Sequence, residues 1–213
     1  MVTFIYSRKF EELKINLVSN CEYTGYYDMP ALEATHFKPT DIIPFNQAVS
    51  QNNPSDKWIH FFIDDYQFER VWNSPNKYLS VLKRFSGVIT TDFSMYTDMP
   101  RAHQIYNCWR NRAMAYWMQS NGINIVPTVC WSDAVSYDWC FEGLPKGGSV
   151  ALSTNGCLSN IASEYYFICG YDEMIRRLEP ESVLIYGRRP KNFHDNRAYF
   201  IESYSQTMKK RLK

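Results

Sequence analysis

Asp64, Asp65, Asp92 and Asp133 each stand where a short apolar run stops, and four carboxylates brought to one place would be a chemically active set. Ile59–Ile63 runs into Asp64-Asp65, Val88–Thr91 into Asp92-Phe93-Ser94, and Ile123–Cys130 into Trp131-Ser132-Asp133. Converging carboxylates repel, so one takes up a proton and serves as a general acid or base. The same oxygens suit a hard cation such as Mg²⁺, and a single Asp can also act as a nucleophile. Asp92 is the first catalytic candidate, because its run is the clearest and the Phe93–Met99 loop gives it room to face a cavity. Asp64 and Asp133 follow it. The competing structural reading is that such aspartates cap helices or fix turns.

Two later runs end on donors. Val150-Ala151-Leu152 stops at Ser153-Thr154-Asn155-Gly156, and Val183-Leu184-Ile185 stops at Tyr186-Gly187-Arg188-Arg189. Ser153 and Asn155 form a small polar turn of the kind that cradles a phosphate or carbonyl, and Arg188 could add charge. Ser94 and Trp131 complete the binding set. The indole either stacks on a base or sugar or simply closes the core. Arg112 falls in the Ile105, Trp109, Tyr116 stripe of a helix opened by Pro100. A charge facing the core needs a partner, so Arg112 is expected in a structural ion pair away from the site. The six cysteines form no Cys-x-x-Cys pair and no zinc spacing, which predicts reduced thiols and no zinc site. No glycine-rich nucleotide loop follows any strand.

Strand signals centre near Phe62, Thr90, Val126, Leu152 and Leu184, with gaps of 28, 36, 26 and 32 residues. A strand, a crossover helix and two loops need about 30 residues. The runs are continuous rather than alternating, as in strands covered on both faces. Helical stripes lie between them, at Tyr78, Leu82 and Phe85, at Ile105–Trp117, and at Phe167–Leu178. Strict alternation predicts an α/β fold with a parallel sheet, either a barrel-like or incomplete (β/α) barrel or an open doubly wound sheet. Ligands bind at strand carboxyl ends in both. Ile15–Val18 and Ile42–Phe45 are two weaker strand candidates.

The 213 residues are 45% hydrophobic, enough for one core. Residues 1–187 are expected to form one α/β domain, with the clearest units at 58–187. Residues 188–213 are expected to be a basic helical extension, on which Phe200, Tyr204, Met208 and Leu212 step by four. That extension holds eight basic and two acidic residues, whereas the rest holds 15 basic and 20 acidic. The basic tail, Arg188–Lys213, could meet nucleotide, nucleic acid or a protein. No apolar run is long enough for a membrane helix and the first nine residues do not read as a signal peptide, so a cytoplasmic location is expected.

The runs Gly87–Tyr96 with Met99-Pro100, Arg110–Ala113 with Tyr116-Trp117, Val126–Trp131 and Val150–Ser153 resemble an uncharacterised domain family of phages, plasmids and other mobile elements, domain of unknown function 4417. The resemblance covers about 58–187 and brings no activity. It implies work in the host cell cytoplasm. A looser likeness is to the barrel of tRNA-guanine transglycosylases, whose strand-end Asp nucleophile would correspond to Asp92. The chain is shorter than those enzymes and lacks their zinc site. The expected function is a mobile-element accessory protein acting on a nucleotide, nucleobase or nucleic acid. The alternative is a non-enzymatic binding or inhibitory protein, directed at a host or phage partner.

Overall fold

The computed structural model describes residues 12–211 apart from 53 and 55. Leu212 and Lys213, which the expected tail included, lie outside the described residues. Ile15–Val18, a weak strand candidate, is a 3-10 turn. A small antiparallel pair follows, β1 (Tyr23–Thr24) with β2 (Met29–Pro30). The repeating part then runs β3 (Ile42–Pro44), α1 (Phe45–Ala48), β4 (Trp58–His60), α2 (Asp65–Asn73), α3 (Pro75–Leu82) and β5 (Gly87–Ile89). It continues with α4 (Arg101–Ser120), β6 (Ile125–Val126), β7 (Ser149–Ser153), α5 (Ile161–Leu178), β8 (Ser182–Tyr186), β9 (Ala198–Ile201) and α6 (Tyr204–Arg211).

Every pairing from β3 onward is parallel and joins sequence neighbours, in the orders β3-β4-β5-β6 and β7-β8-β9. A parallel bridge between Thr128 and Ala151 links the two sheets. Val129 N–H donates to the Ala151 carbonyl at 2.8 Å, and Ala151 N–H to the Pro127 carbonyl at 3.0 Å. The five expected strands are all present, and β3 adds a sixth from the N-terminal candidates. The segment expected as a helical extension instead contributes β9, which pairs with β8, before α6 begins. Phe200, read as the first step of a helical stripe, is a strand residue.

The apolar side chains divide between the two faces. Ile59, Val88, Leu152 and Ile185 belong to the large cluster that also takes in the helices. Trp58, Ile89, Val126, Ala151 and Leu184 pack together in a second cluster, joined by Ile42 and Ile201, so that all seven parallel strands send a side chain to it. The faces follow the period-two alternation of strand side chains. Tyr186 of β8 lies 4.6 Å from the His60 ring of β4 and stacks on Phe62 at 5.3 Å. Contact between strands so far apart in the order makes this face concave. His60 is buried there, and burial pulls its imidazole down to about 3, so it is a neutral core residue.

The twenty-residue α4 is buried nearly all round in its second half. The Ile105, Trp109, Tyr116 stripe is only half-buried, whereas Gln104, Asn107, Asn111 and Arg112 are buried. Arg112 makes no ion pair among the described residues. Its Nε donates to the Glu142 carbonyl at 2.9 Å, Nη1 to the Thr128 carbonyl at 3.3 Å and Nη2 to the Cys140 carbonyl at 2.5 Å. The guanidinium has five donors in a fixed fork, so three backbone oxygens satisfy most of it without a carboxylate. It thereby holds together α4, the chain leaving β6 and the loop before β7.

Arg112→Lys keeps the charge but not the fork. Unfolding in urea should show a loss of about 2–4 kcal/mol, since buried carbonyls lose their donors. A loss below about 0.5 kcal/mol would show that the three carbonyls find other partners.

Candidate functional site

β5 and β6 part company just beyond their last backbone bond. Thr128 N–H donates to Thr90 Oγ1 at 2.9 Å, and Thr128 Oγ1 donates to the Thr90 carbonyl at 2.7 Å. Side chains here replace the ladder, and the strand ends open. A cavity of about 760 Å³ lies at this carboxyl end, reached by residues following β4, β5, β6 and β7 and by the first turns of α5. Asp64, Asp92, Ser94, Trp131, Ser153 and Asn155, all candidates from the sequence, line it. Asp133, Arg188 and Arg112 do not.

The loop carrying Asp92 and Ser94 is clamped from α4 by a row of buried amides. Asn111 Oδ1 accepts the Phe93 N–H at 2.8 Å, and its Nδ2 donates to the Phe93 carbonyl at 3.2 Å. Asn107 Nδ2 donates to the Ser94 carbonyl at 2.8 Å. Gln104 Nε2 donates to the carbonyls of Tyr96 and Met99, at 3.0 and 2.9 Å. Positions 104, 107 and 111 share one helical face. From the other side, the Asp65 carboxylate accepts the Ser94 N–H at 3.1 Å and its Oγ–H at 2.9 Å. Asp65 opens α2, where the helix dipole favours a negative charge. Ser94 is therefore largely committed to Asp65.

Asp92 sits between these constraints. Burial, and then the charge of Asp65, push its carboxyl from 3.8 up to about 7, although a hydrogen bond with Cys130 pulls it down. Burial first, and then Asp92 itself, raise the thiol of Cys130 well above its ordinary range and that of Cys157 to about 11. Both thiols line the cavity, and both stay protonated near neutral pH, as donors rather than nucleophiles.

Asp64 also faces the cavity, and its Oδ2 accepts only Gln67 Nε2, at 3.3 Å. Asp133 was expected beside it. Instead, Arg101 grips both of its oxygens, at 3.0 and 2.6 Å, and lowers its carboxyl. Asp133 Oδ1 also accepts the Val135 N–H at 3.1 Å, capping the 3-10 turn Ala134–Asp138. Arg188, expected as a phosphate ligand, points its Nη2 at the Leu158 carbonyl, 3.3 Å away. In the expected basic tail, Arg197 pairs with Asp195, Lys210 with Glu202, and Arg189 lies over the Phe200 ring. Among the described residues, Asp64, Asp92 and Asp98 are the charged groups of the cavity wall, with no Lys, Arg or His. Ser153 and Asn155 line the cavity without Arg188 beside them, and Ser153 Oγ donates to the Tyr186 carbonyl at 3.3 Å and accepts the Asn155 N–H at 3.0 Å.

Trp131 forms an aromatic wall. Its Nε1–H donates to the Tyr166 carbonyl at 3.0 Å, and its ring meets Phe141 and Phe167. A Cβ on Gly170 would come within 2.1 Å of the indole nitrogen, so this close approach needs glycine. The sequence reading missed Asp98, Cys130, Cys157 and Tyr166. The two cysteines do follow apolar runs, and that signal could have placed them. Among the described residues no three His, Cys, Asp or Glu side chains gather as metal ligands, and no helix is long and apolar enough to cross a membrane.

A family profile described as a domain of unknown function, DUF4417, matches residues 21–205. The chain is 38% identical over 183 residues to the Gene 1 protein of Mycobacterium phage L5, covering 84% of this chain and 79% of that one. It is 37% identical to the Gene 1 protein of Mycobacterium phage D29, covering 84% of this chain and 67% of that one. No solved structure matches. Nothing in these matches supports the likeness to transglycosylases.

The raised Asp92 carboxyl fixes a stability profile. An acid whose folded value is about 7 and whose unfolded value is 3.8 binds more protons folded than unfolded in that window. Stability therefore falls as pH rises from about 4 to 7 and stays reduced above it. Asp92→Asn should be more stable than wild type at pH 8, by on the order of 2–4 kcal/mol, with solvent in the cavity lessening the effect. The difference should vanish near pH 4. Urea midpoints across this range check it, and a variant less stable at pH 8 would contradict it.

Proposed function

The chain belongs to this family of unknown function with phage relatives, and from the strand-end cavity we propose that it binds a nucleobase or nucleoside, with Asp92 as the proton-exchanging group. The observation that carries the reading is a sunken carboxyl with a pKa of about 7 in a cavity walled by Trp131. Such a carboxyl is half-ionised at neutral pH, where a general acid or base is most effective. A cavity of about 760 Å³ is in the range that small ligands occupy. The indole is held rigid and offers a face for stacking. Asp64, Ser153 and Asn155 would add hydrogen bonds around the ring, and Ser94 acts mainly by fixing Asp65.

The charge of the wall narrows the substrate class. Three carboxylates without a cation disfavour phosphate, so a base or nucleoside fits better than a nucleotide or a nucleic-acid backbone. The seven parallel strands are read as an incomplete barrel, a form supported by the inner cluster to which each strand contributes. Its carboxyl end is where such folds carry their sites.

Calorimetric titration with the common nucleosides and their 5′-monophosphates tests the reading. At least one nucleoside should bind, its monophosphate should bind about ten-fold more weakly, and Trp131→Ala should weaken the nucleoside by about ten-fold, as expected for a lost stack. No binding by any nucleoside or free base up to about 10 mM would sink the proposal.

A further inference from the structure

We propose that Asp92 recognises the amidine edge of the ligand, an amino group beside a ring nitrogen, through a two-point contact that holds one shared proton. This deepens the nucleobase reading above and rests on it. The argument begins with what the wall lacks. Among the described residues its charged groups are all acidic, and no Lys, Arg or His accompanies them. A ligand rich in carbonyl oxygens would therefore meet mainly acceptors. An amidine edge offers one N–H donor and one nitrogen acceptor side by side. A neutral carboxyl group offers the complement, one O–H donor and one carbonyl acceptor. A carboxylate accepting two N–H bonds serves the protonated edge equally well. Aspartate and glutamate accept from the cytosine amino group in known base readout for the same reason.

Geometry adds two supports. The Asp92 backbone cannot drift, because Asn111 holds both polar groups of Phe93, the next residue. Trp131 is equally fixed by Tyr166 and Gly170, so a planar ligand stacked on it would present its edge in a defined plane. The groups facing Asp92 are Asp65 and Asp64 at the start of α2, Cys130 beyond β6, Cys157 beyond β7, and Asp98 on its own loop. The two thiols stay protonated near neutral pH, so neither competes for the shared proton.

One proton in the contact has a signature. Cytidine is neutral near pH 7, so its complex needs the proton on Asp92. Benzamidine carries its own charge and needs Asp92 ionised. With the carboxyl near 7, cytidine affinity should fall about ten-fold between pH 6 and pH 8, and benzamidine affinity should rise about ten-fold. Uridine, which has no amidine edge, should bind at least about ten-fold more weakly than cytidine at pH 7. Asp92→Asn should lose benzamidine while retaining cytidine, since an amide pairs with a neutral amidine but offers an amidinium only one acceptor and no charge. The opposed slopes are measured on the wild-type protein, so the test stands even if the variant does not fold. Slopes of the same sign, or uridine equal to cytidine, would overturn the amidine assignment and leave the nucleoside cavity in place. Absence of binding by every probe would overturn both. An arginine peptide that binds where cytidine does not would assign the cavity to a protein side chain instead, and so overturn this proposal.

Discussion

A guanidinium buried inside a protein must be answered group by group, and Arg112 is answered by three backbone carbonyls. Those carbonyls belong to Thr128, Cys140 and Glu142, so one side chain of α4 sets the distance from the helix to the chain leaving β6 and to the loop before β7. Leaving a charge of this kind unanswered costs several kcal/mol. The helix is thus fixed in rotation about its axis. That rotation in turn aims Gln104, Asn107 and Asn111 at the loop after β5. The position of Asp92 follows from a contact made on the next residue, and the cavity follows from the parting of β5 and β6 at Thr90 and Thr128.

The same dependence explains which parts were legible from the residues alone. Continuous apolar runs at spacings near 30 residues leave little choice but parallel βα units, and these appear where expected. Polar residues at the run ends mark the carboxyl rim for the same reason, so six of the eight catalytic and binding candidates line the cavity. Arg112 could be recognised as buried from its helical angle, but not its partners. Backbone carbonyls exist at every residue and leave no mark in the sequence, so a carboxylate seemed necessary. β9 was hidden by a coincidence of period. Phe200, Tyr204 and Met208 step by four, which reads as one helix, yet the first belongs to a half-buried strand and the others follow its end.

Asp133 and Asp92 illustrate the limit more sharply. Both follow a strand, and the sequence sets Asp92 first only by the clarity of its run and the room of its loop. What separates them is the content of the following segment in space. Arg101, at the first turn of α4, reaches Asp133 with both terminal nitrogens and turns it into a cap. Among the described residues no cation lines the wall around Asp92. An ion pair formed across 32 residues of chain is invisible to spacing arguments, whereas its absence is what makes a carboxyl reactive.

Asp65 and Asp92 are coupled through charge, since Asp65 helps to raise the Asp92 carboxyl. Asp65 has the N-terminus of α2 behind it and accepts two hydrogen bonds from Ser94 in front. Asp92 is buried, with two protonated thiols and the field of Asp65 beside it, so its carboxyl is raised. Ser94 is the hinge of this arrangement: its two hydrogen bonds hold the Asp65 carboxylate in place, and the charge of Asp65 raises the Asp92 carboxyl. A residue that looks like a ligand contact from its place in the sequence acts instead on the acidity of its neighbour. This is a reason to count Asp65, Ser94 and Asp92 as one unit rather than three separate candidates.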